Sequence, residues 1–341
     1  MPTVVAGNRI FTTRVGAVRP SAARNRVGTG PAPDLPTAGT GFATAGAILQ
    51  RYDQGRSGLE EAVLELFHGG ISPAHAEIAA RRLFGPTAGL AELAARAHDL
   101  RRGITAWLDR PLARGQTCVF LQAVTITRKS APGQPETEVQ AAVGVDPHGG
   151  IEVLGIASSS SGNWDGLLGG LRRRGLPGVE LFVGDSGPGV WSAARTHFPH
   201  ARYQVCLARL EELMLYKVPA AQVHVVVDAF VALRGAASAG EARAVIAALR
   251  PKLHESFAAA ALLDEAGDHL FTHLAWPAAQ QAHLRDASFL KKPLGHLRTR
   301  VRLLGPGLDD EALVLLLAAR LRQTWPAETH RRFKALVRPE V

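Results

Sequence analysis

Hydrophobic periodicity in this 341-residue chain turns from helical to extended near Thr117. Before that point, from Ala45 to about Arg110, apolar residues recur at helical spacing. After it come runs that are apolar and β-branched: CVFLQAVTIT (118–127), then 138–145 and 151–157. Pro132-Gly133 and His148-Gly149-Gly150 separate these runs as turns, so the three are expected to form an antiparallel meander. A helix over about 164–174, stopped by Gly175, leads to a strand at 180–184. A helix around 190–197 and a strand at 202–206 follow. From Leu207 to about Val337 the pattern is helical, and no internal repeat is visible.

Three antiparallel strands followed by alternating helix and strand is the order of a ribonuclease-H-like α/β core. In that order an acid belongs midway along the first strand, another at the end of the fourth and a third on a later helix. Together such carboxylates hold two Mg²⁺ ions, which activate water or a 3′-hydroxyl and stabilise the leaving oxygen of a phosphodiester. Asp185 ends the fourth strand, before a Ser-Gly-Pro-Gly turn. Taken alone, an Asp there is as readily a turn former or a helix cap.

The segment ahead of the strands is read as three helices. GLEEAVLELFH (58–68) places Leu59, Val63, Leu66 and Phe67 on one face. Gly69-Gly70 stops that helix, and Ser72-Pro73 restarts one with Ser as N-cap and Pro at the first helical position. Ile78, Ala79 and Leu83 are expected to face inward on this second helix, and a third runs from about Leu90 to Trp107. Two short helices joined by a tight Gly turn fit a helix-turn-helix unit; a generic helical bundle is the other reading.

Lys plus Arg number 39 against 30 Asp plus Glu, a net charge of +9, with 33 of the 39 being Arg. Such an excess favours a polyanionic partner, nucleic acid before membrane. Residues 1–43 carry Arg9, Arg14, Arg19, Arg24 and Arg26 against the single acid Asp34, so they hold +4 of that charge. They are expected to be a flexible basic tail, or the product of a start codon assigned too early. Two cysteines, Cys118 and Cys206, exclude a disulfide scaffold and Cys-rich zinc modules. No apolar run approaches the roughly 20 residues of a membrane helix. The expectation is a soluble cytoplasmic protein associated with the nucleoid.

At this point the chain resembles the bacterial Mutator-type insertion-sequence transposases, from about Leu49 to Val337. The carriers are Arg51-Tyr52, Arg110-Pro111, GVDPHGGIEVLG (144–155), FVGDSGPG (182–189), HFPHARYQVCL (197–207), Thr299-Arg300-Val301 and DEAL (310–313). Their order and spacing, more than any one of them, make the resemblance specific. It implies a ribonuclease-H-like fold, Mg²⁺ or Mn²⁺ as cofactor, and DNA as partner, both element ends and target. It also implies a homodimer or larger assembly on that DNA.

Carried over residue by residue, the family's active site is incomplete here. Its first Asp falls on Gln122, its second on Asp185, and its Glu on Phe289; a His that follows the Cys falls on Arg209. Gln122 offers a neutral amide oxygen and Phe289 none, whereas Mg²⁺ seeks anionic oxygens. Asp286, one helical turn before Phe289, is the best surrogate carboxylate. Arg81 and Arg82 in the helix-turn-helix-like region, and Lys291, Lys292, Arg298, Arg300 and Arg302 beside the third acid position, are candidate contacts to DNA phosphates. Pro293 and Gly295 are expected to interrupt the helix there.

The expected organisation has five parts. They are the tail (1–43), a helix-turn-helix-like DNA-binding region (44–112), the ribonuclease-H-like core (113–218), a helical insertion (219–285) and C-terminal helices completing the core (286–341). The resemblance implies a Mutator transposase that cuts and joins DNA but is impaired as a catalyst. A non-catalytic DNA-binding remnant, or a transposase reused for another purpose, is the alternative.

Overall fold

A computed structural model describes residues 11–13, 16–18, 45–126, 136–158, 163–301 and 308–328. Within the expected tail, β1 (Phe11–Thr13) and β2 (Gly16–Val18) pair antiparallel. The rest of 1–43, the Pro132-Gly133 turn and Arg302 lie outside the described residues. The chain divides into two compact units: one takes 1–107, 128–134 and 302–319, the other 108–127, 135–301 and 320–341.

Apart from β1 and β2, the first unit is helical in its described residues. α1 (Ala45–Asp53), α2 (Leu59–His68) and α3 (Pro73–Phe84) pack on one another, and α4 (Leu90–Leu108) follows. Gly70, at φ +67°, makes the turn between α2 and α3. The inward faces differ from those that residue size suggested. Phe67 is 38% exposed and Ile78 48%, while Ala62, Ala76, Ala79 and Ala80 are buried. Val63, Leu66 and Ala79 are buried as expected, and small side chains let the helices approach closely, so alanines take the places expected of Phe67 and Ile78. Ser72 does precede α3, but its hydroxyl pairs with His75 Nδ1 at 2.7 Å and caps no backbone group. Glu65, buried on α2, is ion-paired with Arg51 of α1.

The second unit is built on a five-stranded sheet. β3 (Gln116–Ile126), β4 (Thr137–Val145) and β5 (Ile151–Ser158) form the antiparallel meander. Its β4–β5 turn is held by Asp146, whose Oδ1 accepts from the backbone of His148 (2.9 Å) and Gly150 (2.8 Å). After α5 (Trp164–Arg173), β6 (Val179–Gly184) returns to pair parallel with β3; after α6 (Pro188–His197), β7 (Arg202–Val205) pairs parallel with β6. The strand order is β5-β4-β3-β6-β7. β3 is therefore central and flanked on both edges, which accounts for its nearly continuous apolar run.

One sheet face is a closed hydrophobic core. Val119, Leu121, Ala142, Leu154, Phe182, Tyr203 and Val205 belong to a single buried cluster with Leu167, Leu168 and Leu171 of α5 and Val190, Ala193 and Ala194 of α6. Residues one step out of phase, among them Phe120, Gln122 and Val183, lie on the opposite face. From β7 the chain enters α7 (Leu207–Leu215), α8 (Val223–Gly235), α9 (Ala239–Leu249), α10 (Phe257–Ala266) and α11 (Ala278–Leu284), with 3-10 turns between them. It then returns as α12 (Lys291–Val301) against β3, and ends its described part in α13 (Asp310–Glu328).

α12 runs unbroken through Pro293 and Gly295, contrary to the sequence expectation. Pro293 stands in the first turn, where its missing N–H has no intrahelical acceptor to lose. Among the described residues no helix is long and apolar enough to cross a membrane.

Candidate functional site

Strand register decides what stands beside Asp185. β3 and β6 run parallel with Phe120 opposite Val183. Gln122 lies two residues further along β3, and Asp185 lies one residue past the end of β6. Asp185 thus directly follows the end of β6, which pairs with β3, the strand that carries Gln122.

Gln122 is 3% exposed. Its amide Nε2 donates to the carbonyl of Ala123 at 3.1 Å, and its Oε1 has no hydrogen-bond partner among the described residues. Asp185 is in the same condition: its Oδ1 is buried and unmatched. Burial drives its pKa up from 3.8 to about 6, with Glu138 and Glu212 adding to the rise and Arg209 and Lys291 opposing it. The backbone around it is fixed from β7 and its end, where the Tyr203 hydroxyl donates to the Asp185 carbonyl at 2.8 Å and the Cys206 N–H to that of Gly184 at 2.6 Å.

The nearest positive charge comes from α7. Arg209 Nε lies 3.8 Å from Asp185 Oδ2, and Arg209 Nη1 donates to Glu212 Oε2 at 3.1 Å. Lys291, at the start of α12, donates to the same Glu212 oxygen at 2.8 Å. Burial pushes the Glu212 carboxyl up, but hydrogen bonds from Lys291 and Arg209 outweigh it and hold the group below its usual value. The result is an alternating row of Asp185, Arg209, Glu212 and Lys291. Glu212 was not singled out from sequence, although its i, i+3 spacing from Arg209 on a helix was a usable signal.

Phe289 and Asp286 sit differently from a helical pair. Phe289 lies in a 3-10 turn (Ser288–Leu290) and packs edge-to-face on Phe120, with ring centroids 4.8 Å apart at 86°. Asp286 precedes that turn and belongs to no helix, so the shared helical face expected of the surrogate acid does not form. Its Oδ1 instead accepts from the Ala208 N–H at 2.7 Å, capping the start of α7. The Cys206 thiol, enclosed beside it, is pushed up to about 12 by burial and then by Asp286, against the Ala287 N–H that donates to its sulfur at 3.3 Å. Among the described residues no three His, Cys, Asp or Glu side chains converge as a metal-binding group.

The candidate phosphate contacts are scattered. Arg81 and Arg82 are exposed on α3, paired with Glu77 (2.5 Å) and Asp53 (2.9 Å). Such surface pairs are weak and exchange readily. Lys291 belongs to the row at Asp185, Arg298 is exposed on α12, and Arg300 is on the same helix. Lys292 falls in α12, and its side chain lies outside the description, as does all of Arg302.

A mixed α/β protein with one carboxylate at the end of a strand beside the central one is the class this geometry defines. The profile of the Mutator family of transposases matches residues 7–326, and the chain belongs to that family. The match begins well before Leu49, where the sequence resemblance was expected to start, and takes in most of the basic tail. Among relatives, the chain is 24% identical to the transposase for insertion sequence element IS1201 of Lactobacillus helveticus, over 61% of this chain and 57% of that one. It is 24% identical to the transposase of IS256 in transposon Tn4001 of Staphylococcus aureus, over 58% and 48% respectively. With the transposase of IS6120 of Mycolicibacterium smegmatis it shares 25% over 82% of this chain and 89% of the relative. The chain thus spans about half the length of the first two.

Proposed function

We propose that this chain is a Mutator-type transposase with a ribonuclease-H-like core, one that keeps its DNA-engaging scaffold and is impaired in cutting and joining DNA. The strand order supports the fold, since three antiparallel strands are extended on the β3 side by two parallel ones. The observation that carries the functional reading is the buried amide of Gln122 on β3, the strand paired with the one that Asp185 follows. The family uses a carboxylate at the first position, and a neutral, buried amide stands there.

The family's Mg²⁺ or Mn²⁺ fits this donor set poorly. A pair of ions about 4 Å apart needs several anionic oxygens between them. Here the sheet offers one orphaned carboxylate oxygen and one orphaned amide oxygen. The third position holds an aromatic ring packed edge-to-face on Phe120, and Asp286 is engaged with the start of α7.

In this reading Arg81 and Arg82 of the helix-turn-helix-like α2–α3 pair meet DNA phosphates, as separately do Arg298 and Arg300 of α12, with Lys292 and Arg302 adding charge. Phosphate contacts of this kind give salt-dependent affinity without sequence choice. Homodimers or larger assemblies on DNA, and a place at the nucleoid, follow from the same reading. The test is a strand-transfer assay on DNA from the flanks of the gene with Mg²⁺ or Mn²⁺. The wild-type chain is expected to shift DNA and join none; robust joining that disappears in Asp185→Ala overturns the reading. Intact terminal inverted repeats around the gene favour a mobile element over a reused remnant.

A further inference from the structure

The row of charges at the end of β6 poses a separate question, namely what stabilises a carboxylate so enclosed. Burying one ion of a pair without the other is strongly destabilising, because the desolvated charge has no partner. Asp185 has one oxygen with no hydrogen bond. Its other oxygen faces the Arg209 guanidinium at 3.8 Å. Arg209 is itself steadied by Glu212 at 3.1 Å, and Glu212 by Lys291 at 2.8 Å, so α7 and α12 together hold the guanidinium at the sheet. The cap that Asp286 places on Ala208 fixes the first turn of α7, from which Arg209 projects.

We infer that Arg209 is a built-in counter-ion, whose guanidinium supplies beside Asp185 the positive charge that a bound divalent cation would otherwise supply. The chain then supplies part of the compensation itself, and a metal ion at Asp185 has to displace or repel a tethered cation. This makes Arg209 a positioning residue, acting on Asp185 and on no reacting atom. Restoring acids at Gln122 and Phe289 is accordingly insufficient to restore ion binding while Arg209 remains.

The inference rests on the non-cutting reading above but is tested without DNA. The full chain is melted with and without millimolar Mn²⁺, and uptake of Mn²⁺ is followed by loss of the free-ion electron paramagnetic resonance signal. Wild type is expected to take up no Mn²⁺ at Asp185 and to melt at the same temperature in both conditions. Arg209→Met is expected to melt about 5 °C lower and to regain part of that loss with Mn²⁺. Arg209→Met with Asp185→Asn recovers without metal and ignores it, and Arg209→Lys behaves as wild type toward Mn²⁺. Wild-type Mn²⁺ uptake that is lost in Asp185→Asn overturns the inference, whether or not Arg209→Met folds. So does an Arg209→Met that folds and neither loses stability nor responds to Mn²⁺. Mn²⁺ uptake without DNA joining sinks this inference alone; joining without uptake at Asp185 sinks the functional reading alone.

Discussion

The two faces of the central sheet differ in how completely they are satisfied. Toward α5 and α6, Val119, Leu121, Phe182, Tyr203 and Val205 close a core in which side chains meet side chains. Toward α12, Phe120 is followed by Gln122, and Val183 by Asp185, each with a buried oxygen lacking a hydrogen bond. Core packing is redundant and survives drift in any one residue, whereas a site of a few polar atoms fails when one changes. The same strands therefore carry a scaffold that still packs and a polar cluster left with unmet bonds.

Four substitutions sharpen that contrast. Phe182→Ala, on the closed face, is expected to remove about 3–5 kcal/mol of stability, read by urea unfolding. Asp185→Asn is expected to act in the opposite direction, raising stability at pH 7.5 by about 2–3 kcal/mol. The sign follows from a folded-state pKa raised from 3.8 to about 6. The penalty of the charged form is full above pH 6, shrinks as pH falls, and is gone below pH 3.8. Unfolding curves from pH 3.5 to 8 should therefore converge for the two proteins at the acid end; a constant gap removes burial of charge as the cause. Asp286→Ala, which uncaps α7, is expected to lose about 1 kcal/mol, and an unchanged midpoint denies it the capping role. Gln122→Leu should be neutral or gain up to about 1 kcal/mol, because an unmatched buried carbonyl oxygen is removed with its amide. A loss above that range means the amide is bonded in solution.

Much of the fold was legible because its signals are local. β-branched runs punctuated by Gly and Pro gave the strands to within a residue or two, and Asp185 was found at the end of β6 by order alone. Faces of α2 and α3 were misjudged at Phe67 and Ile78, since alanine contacts leave little trace in a hydrophobic pattern. Asp286 was misread for another reason. A local period suggested a helix shared with Phe289, while its actual partner, Ala208, lies 78 residues earlier in the chain. Glu212 and the pairing of Lys291 with it likewise depend on two helices meeting across the fold, and Lys291 on its own reads as one more basic residue.

That cap has a consequence for the order in which the molecule assembles. Leu207 N–H donates to the Arg285 carbonyl at 3.0 Å, next to the Asp286 cap on Ala208. Closing so long a loop is slow relative to forming any helix within it. During synthesis the sheet strands through β7 leave the ribosome well before Asp286 and Lys291 do. The closed hydrophobic face can therefore begin to collapse early, while Arg209 reaches its final setting only when the returning chain arrives, making the polar cluster a late event in folding.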